Sequence, residues 1–196
     1  DIQRLPVAAV PQGKNDVETF IPVARIADML LHPGDEFDYD GGRYRYPDIK
    51  MIYWAGGNPF HHHQDLTRLL AGWRKPDTII AHDWCWNALA KHADIILPCT
   101  TSLERTDIAM SPMDNYFVSM QAAIAPVGDA RDDFEIFRGI AAKMGAENSY
   151  TEGRSAEDWQ RWLYDVTKQA SAEQGHELPS YDAFRKDGWF KLPPPE

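Results

Sequence analysis

The sequence predicts an α/β fold built on a parallel sheet with flanking helices. Three short apolar runs, at 49–56, 78–82 and 93–97, are separated by two segments of helix-compatible composition. The first run is rich in strand-forming residues and ends at two glycines, as a buried strand does before a tight turn. Strands that alternate with helices over short connections form parallel sheets, because the chain must cross over to begin each strand on the same side.

The composition is that of a folded globular domain and excludes two classes of partner. The 196 residues are 43% hydrophobic and 26% charged, with a formal net charge of −10. Most of the surface would repel a nucleic-acid backbone, so we expect no nucleic-acid binding. No apolar run approaches the ~20 residues that a membrane span needs, so we expect no span. The two cysteines, Cys85 and Cys99, are expected to be packed thiols because they are too few for a disulfide framework.

No basic segment followed by an apolar one opens the sequence, and its first residue is Asp1 instead of Met. We therefore expect the chain to start inside a longer polypeptide. Without a leader the compartment stays open between the bacterial periplasm and the cytoplasm.

Residues 1–48 are expected to form an irregular arm with one helix. The helix follows Pro22 and stops at His32-Pro33-Gly34. A hairpin with a tight turn at Asp40-Gly41-Gly42 is predicted within 35–48. The helix is indicated by four apolar positions at the spacing of one helical face: Val23, Ile26, Ala27 and Leu30.

Residues 49–148 are expected to form an α/β cofactor-binding core. A second helix is predicted at 84–91, a further strand at 115–124, and a turn around Pro126-Val127-Gly128. The first helix between the strands is indicated by Leu66, Leu69, Leu70 and Trp73. The clearest helical face ends at a Gly145 cap and consists of Phe134, Phe137, Ile140, Ala141 and Met144.

Residues 149–196 are expected to hold one helix and a linker toward a further domain. Ser155 and Asp158 have the spacing of a capping box at the start of that helix. The last 25 residues are turn-rich and end in a proline run, which predicts no terminal element. The predicted buried residues of the helix are Trp159, Trp162, Leu163 and Val166.

The first strand ends in Gly56, Gly57, Asn58 and Pro59, where an open parallel sheet forms its ligand crevice. Glycine lets backbone N–H groups approach a phosphate without a Cβ atom in the way, and Asn58 could add a donor. A tight turn that only reverses the chain would use the same glycines, so both interpretations stay open.

The second strand ends in His82 and Asp83. A carboxylate at this position could accept hydrogen bonds from a ribose or a base. Asp83 could equally cap the predicted helix that follows it. The two roles are compatible.

The histidine run His61-His62-His63 does not favour zinc, because adjacent side chains point in different directions and no further ligand has the right spacing. We expect one imidazole, assigned to His62, to face the crevice as a hydrogen-bond donor.

Glu104, Arg105 and Asp107 follow the third strand and a Thr-Thr-Ser segment. Ser102 could be a nucleophile, although the Gly-x-Ser-x-Gly elbow is missing. A structural ion pair between Glu104 and Arg105 is the alternative role for those charges.

Seven tryptophans are a high number for this length. Three lie near the predicted crevice and could stack on a pterin or purine: Trp54, Trp84 and Trp86. The others that lie on helical faces are expected in the core: Trp73, Trp159 and Trp162.

Five stretches together resemble the dimethyl sulfoxide reductase family of molybdopterin oxidoreductases, in that family's order and spacing. The similarity runs from Ile21 to Tyr164 and favours the branch that reduces trimethylamine N-oxide, dimethyl sulfoxide and biotin sulfoxide. The stretches are IPVARIADMLLHPG, YPDIKMIYWAGGNPFHHHQDL, HADIILP, TTSLERTDI and DARDDFEIF.

The resemblance implies a dinucleotide-binding-like (Rossmann-like) domain and an oxidoreductase whose cofactor is molybdenum held by two molybdopterin guanine dinucleotides. Residues 56–59 and 82–83 match positions that contact the nucleotide part of one of them, and 104–107 match the family's SLERxD loop. The implied cofactor-binding residues are Gly56, Gly57, Asn58, Pro59, His62, His82, Asp83, Glu104, Arg105 and Asp107.

Family enzymes are several times longer, and their molybdenum-ligating serine and C-terminal barrel have no counterpart here. We therefore expect the remaining domains of the same polypeptide as partners and an S-oxide or N-oxide as the substrate of the parent enzyme. In this segment we expect no catalytic residue and no metal ligand, and for the segment alone no bound cofactor and no activity. A free-standing nucleotide-binding module without redox activity is the alternative.

Overall fold

The computed structural model describes residues 7–17, 19–110 and 115–192. The chain divides into two units: Gly13–Cys99 forms one, and Asp1–Gln12 with Thr100–Glu196 forms the other. None of the described helices is both long enough and apolar enough to cross a bilayer.

The unit of residues 13–99 begins with the predicted helix and hairpin, and both are confirmed. The hairpin turns tightly because Asp40 and Gly41 have φ of 48° and 75°, the left-handed pair that two-residue turns need. The elements are a 3-10 helix Val23–Arg25, α1 Ile26–Leu31, β1 Glu36–Tyr39 and β2 Gly42–Arg45, the strands being antiparallel.

The predicted parallel sheet is confirmed within a mixed α/β fold. β3 Met51–Trp54, β4 Thr78–Asp83 and β5 Ile95–Pro98 are parallel and lie in the order β3-β4-β5. The first crossover contains α2 Pro59–His62, which was not predicted, and α3 Leu66–Trp73, which was.

The helix predicted at 84–91 is wrong. The second crossover contains only a 3-10 turn, Ala90–His92. The Asn87 side chain accepts a hydrogen bond from the Ala90 N–H at 3.1 Å, which stabilises the bend that leads into this 3-10 turn. Trp84 and Trp86 are exposed and offer no apolar face on which a longer helix could pack.

α1 and α3 cover the core of this unit. A Cβ atom added at Gly72 would lie 3.0 Å from Leu30 Cβ, so the two helices approach closely because position 72 is glycine. Val23 and Leu66 were predicted on the buried faces but are largely exposed. The core cluster consists of Leu30, Phe60, Leu69, Trp73, Ile79, Ala81 and Leu89.

The other unit contains an antiparallel sheet of which only the middle strand was predicted. β6 Asp107–Met110, β7 Tyr116–Met120 and β8 Trp189–Lys191 lie in the order β6-β7-β8. The expectation that the last 25 residues hold no regular element is wrong, because they contain α7 Tyr181–Asp187 and β8. The proline run that closes the chain lies outside the described residues.

Three further helices complete this unit: α4 Asp133–Lys143, α5 Glu147–Thr151 and α6 Ala156–Glu173. The predicted capping box of Ser155 and Asp158 is confirmed, as is the left-handed Gly145 after α4. The predicted face of α4 is partly wrong, because Met144 is exposed and Ile136 is the buried residue. The core cluster consists of Phe117, Tyr164, Leu178, Tyr181, Phe184 and Leu192.

Candidate functional site

The turn after β3 is built on two exposed glycines. Gly56 and Gly57 have φ of 83° and 68°, and a Cβ atom at either would meet no heavy atom within 4 Å. The left-handed backbone, and not crowding, is therefore what requires glycine here. Exposed backbone without Cβ atoms leaves room for close approach by an anion.

Asn58 follows the glycines and is buried. Its Oδ1 accepts a hydrogen bond from the Phe60 N–H at 3.0 Å, which caps the single turn of α2 behind Pro59. Its Nδ2 has no hydrogen-bond partner among the residues that the structure describes. A buried donor without an acceptor costs about 1–3 kcal/mol, so an acceptor supplied by a ligand would recover free energy at this atom.

His82 and Asp83 form the end of β4, and both are buried. The Tyr53 hydroxyl and His82 Nε2 are 2.6 Å apart, which ties β4 to β3. The sequence did not identify Tyr53, because its contact with His82 depends on how the two strands pair. Asp83 Oδ1 accepts from the Trp84 N–H at 2.9 Å, but no helix follows, so the predicted helix-capping role of Asp83 is wrong.

The strand pairing brings the two predicted segments to one edge of the sheet. Trp54 lies opposite Ala81, and Asp83 lies opposite Pro98. Since the three strands are parallel, the glycine turn, the His82-Asp83 segment and the end of β5 all follow the same edge.

The three histidines behave differently from one another. His61 and His62 are exposed in α2, whereas His63 is partly buried. His63 Nε2 is buried without a hydrogen-bond partner in the described part of the chain, so His63 is a candidate that the sequence missed. No group of three or more His, Cys, Asp or Glu side chains within 7–17, 19–110 and 115–192 could hold a metal ion.

The three tryptophans near the predicted crevice differ in their burial. Trp54 packs on Trp73 with ring centroids 5.7 Å apart, and its Nε1 is buried with no partner among the described residues. Trp84 and Trp86 are 67% and 72% exposed. Both exposed rings belong to the loop after β4 and are free to stack on a planar ligand.

Glu104 connects its own loop to the loop between β7 and α4. Its Oε2 accepts from the Thr101 N–H and hydroxyl at 2.7 and 2.8 Å, and its Oε1 accepts from the Val127 N–H at 2.7 Å. The backbone N–H groups of Thr101 and Val127 and the Thr101 hydroxyl hold the pKa of this carboxyl below its ordinary value, because they stabilise the charged form. Arg105 pairs with Asp107, so the alternative of a Glu104–Arg105 ion pair is wrong.

The predicted site residues are thus distributed over both units. Those at 56–83 belong to the unit of residues 13–99, and Glu104, Arg105 and Asp107 belong to the other. Within the second group, Asp107 is also tied locally, because its Oδ1 accepts from the Ile108 N–H at 2.8 Å.

The sequence of this chain is similar to a known protein family and to several known proteins. A model of the molybdopterin oxidoreductases matches residues 5–143. Biotin sulfoxide reductase of Cereibacter sphaeroides is 45% identical over 186 residues, which are 94% of this chain and 25% of that protein. Dimethyl sulfoxide/trimethylamine N-oxide reductase of Rhodobacter capsulatus is 43% identical over 175 residues, 88% of this chain and 21% of that protein. Trimethylamine-N-oxide reductase of Haemophilus influenzae is 40% identical over 190 residues, 91% of this chain and 23% of that protein.

Among solved structures, acetylene hydratase from Pelobacter acetylenicus is similar with a TM-score of 0.53 at 18% identity. The match covers 76% of this chain and 19% of that one, and at this identity it shows likeness of fold alone. The chain spans about a fifth to a quarter of the length of these relatives.

Proposed function

The chain belongs to the molybdopterin oxidoreductase family, and we propose that it is the part of an S-oxide or N-oxide reductase that binds a molybdopterin guanine dinucleotide. Support for the substrate class comes from the relatives, which are named as reductases of biotin sulfoxide, dimethyl sulfoxide and trimethylamine N-oxide. Because those proteins are much longer, the proposed activity belongs to an enzyme that contains this segment together with further domains.

The main support for this proposal is that Asn58 Nδ2 has no hydrogen-bond acceptor among the described residues and follows two exposed glycines with left-handed backbone. These residues suit the phosphate-bearing part of the cofactor, because they offer a donor without an acceptor and a backbone without Cβ atoms. They follow the carboxyl end of a parallel strand, where open α/β sheets bind their ligands. We propose on the same ground that the β3-β4-β5 sheet is Rossmann-like.

The residues at the end of β4 would position the ligand. Asp83 can accept hydrogen bonds from a sugar or base, since its side chain lies at the same edge as the glycine turn. His82 and Tyr53 hold the two strand ends together through their 2.6 Å contact. Pro59 and His62 belong to the proposed wall, whereas Glu104, Arg105 and Asp107 shape a loop in the other unit.

Bound molybdenum would supply the oxygen-atom transfer by changing oxidation state, and the residues of this chain would bind and orient its ligand. No residue of this segment is assigned a catalytic role. The divisions 1–48, 49–148 and 149–196 are proposed as arm, cofactor-binding core and connection to a further domain.

The proposal is tested on the molybdenum-loaded enzyme that carries this segment, with Asn58→Leu. We expect the variant to retain less than about half of the guanine nucleotide and molybdenum per protein, because it loses a donor of about 1–3 kcal/mol. The readouts are guanosine monophosphate released by acid hydrolysis and metal analysis. Asn148→Leu, the same change at an exposed position of α5, is the control and should retain both.

A second variant keeps the test valid if Asn58→Leu does not fold. Gly56→Ala and Gly175→Ala impose the same backbone strain, because both glycines have φ of 83° and open space around a Cβ atom. The common destabilisation is about 1–2 kcal/mol. The proposal requires cofactor loss in Gly56→Ala and not in Gly175→Ala. Equal cofactor content in the two glycine variants would contradict it, and so would full content in a folded Asn58→Leu variant.

A further inference from the structure

Three buried side-chain nitrogen atoms in residues 54–63 have no hydrogen-bond partner among the residues that the structure describes. They are Trp54 Nε1, Asn58 Nδ2 and His63 Nε2. In the rest of the described chain only two further buried side-chain atoms are in this state. Native structures leave few such atoms, so a group of three in one short segment indicates a binding partner outside the segment.

The three side chains lie around the start of α2 and the ring of Trp73. Trp54 and Phe60 pack on that ring with centroid distances of 5.7 and 5.5 Å. The Phe60 N–H donates to Asn58 Oδ1 at 3.0 Å, which ties Asn58 to the same cluster. His63 ends α2, about 7.5 Å along the helix axis from Asn58. The three residues therefore form one local donor cluster beside the glycine turn.

Two of the three nitrogen atoms can only donate. The indole of Trp54 offers a donor alone, and the Asn58 amide is oriented by its oxygen, which already accepts from the backbone. His63 Nε2 donates when it carries the proton. Such a set selects a group whose surface atoms accept hydrogen bonds, and the oxygens of a phosphate have that property.

Trp54 and His63 are partly exposed, although their unpaired nitrogen atoms are not. A ligand atom can therefore bond to these nitrogens only after the two rings turn toward it. A buried donor without an acceptor is costly, so a rotation that ends in a hydrogen bond lowers the free energy. Gly56 and Gly57 precede the cluster and have no Cβ atoms that would obstruct such a ligand.

We propose that Trp54 and His63 turn toward the bound cofactor and donate hydrogen bonds to its phosphate oxygens, together with Asn58. This inference rests on the proposed function and adds two binding residues to the glycine turn. The interaction uses the N–H edge of Trp54 and not the stacking of its ring that the sequence suggested.

The role of Trp54 is tested on the molybdenum-loaded enzyme that carries this segment. Trp54→Phe keeps an aromatic ring and removes the N–H group. We expect this variant to release guanine nucleotide about two- to tenfold faster than the parent, which corresponds to one hydrogen bond. Trp162→Phe is the matched control and should release it at the parent rate. Trp162 is also partly exposed and packs on another tryptophan, Trp159, with a centroid distance of 5.5 Å.

The cofactor-free form of the same enzyme separates the N–H group of Trp54 from the packing of its ring. Removing a buried donor that has no acceptor relieves a cost. We therefore expect the thermal unfolding midpoint of cofactor-free Trp54→Phe to be no lower than that of the cofactor-free parent. A lower midpoint would assign the faster release to lost packing and would overturn the role of the N–H group.

The role of His63 is tested in the same way. His63→Leu removes Nε2, whereas His63→Gln keeps a nitrogen donor at a similar distance from the backbone. We expect His63→Leu to release the nucleotide about two- to tenfold faster and His63→Gln to restore most of the parent rate. His61→Leu makes the same change at an exposed position of α2 and should leave the rate unchanged.

Release at the parent rate in either Trp54→Phe or His63→Leu would overturn the inference. Equal acceleration by His63→Leu and His61→Leu, or by Trp54→Phe and Trp162→Phe, would also overturn it, because the effect would not be specific to the donor cluster. Cofactor loss in Asn58→Leu, with parent rates in the other two variants, contradicts this inference and leaves the proposed function standing. Full cofactor content in all three folded variants contradicts both.

Discussion

Asn58 and Glu104 are both buried polar side chains, yet they use their hydrogen-bonding groups to different extents. Glu104 accepts two hydrogen bonds from its own loop and a third from Val127, which lies between β7 and α4, so its oxygens are satisfied within the chain. Asn58 uses its oxygen for α2 and leaves its nitrogen unsatisfied. The unsatisfied group is therefore the better candidate for contact with a ligand.

We predict that Glu104→Gln destabilises the chain at neutral pH and much less in acid. The folded-state pKa of Glu104 lies below its ordinary value of 4.5, so the ionised carboxyl stabilises the fold above pH 4.5. This contribution is lost as the pH falls below 4.5 and through the folded-state value. Urea midpoints of the two proteins should therefore converge as the pH is lowered.

Glu177→Gln is the control for this prediction, because Glu177 is exposed in the loop before α7. Its urea midpoint should equal that of the parent chain at neutral pH and at acid pH. A Glu104→Gln midpoint that stays equally low at acid pH would show that packing, and not ionisation, accounts for the destabilisation.

Local pattern was enough to find some of the site and not the rest. His82 and Asp83 could be predicted because they end a buried run before a polar loop, and Gly56 and Gly57 because they interrupt another. The contact between Tyr53 and His82 could not, since it depends on the register in which Tyr53 lies opposite Ile80.

Helices and strands could likewise be predicted from the sequence only where a local pattern marks them. α6 was predictable because its capping box and apolar spacing are local signals, although Val166, which was predicted to be buried, is exposed. β8 has three residues and pairs with β7, from which it is separated by α4 to α7, so no local pattern announces it. α7 has seven residues, of which only Tyr181 and Phe184 are buried, too few to give a helical period.

The packing of α7, which the sequence did not predict, leads to a prediction about stability. Phe184 is fully buried and stacks on Tyr164 at a centroid distance of 4.9 Å. Phe184→Ala should lower the free energy of unfolding by about 3–5 kcal/mol, because it leaves a cavity in the core. Lys186→Ala, at an exposed position of the same helix, should change it by less than about 0.5 kcal/mol.

Chemical denaturation of both α7 variants is the measurement. A loss below about 1 kcal/mol in Phe184→Ala would mean that the end of the chain is not packed as the structure has it. Such a result would support the expectation from the sequence that this segment is a linker.

At the scale of the whole chain, the role that we propose is cofactor binding within a larger enzyme. The candidate cofactor residues at 56–83 lie in one unit, and Glu104, Arg105 and Asp107 lie in the other. Because the aligned residues make up only 25% and 21% of two of the reductases that the chain resembles, we propose that the chemistry belongs to the enzyme that carries the segment.

The cofactor proposal is tested most directly by an experimental structure of that molybdenum-loaded enzyme. We expect an oxygen of the pterin dinucleotide within about 3.2 Å of Asn58 Nδ2 or of a backbone N–H in the glycine turn. A bound cofactor whose atoms all lie more than about 3.5 Å from residues 56–59 and 82–83 would contradict it.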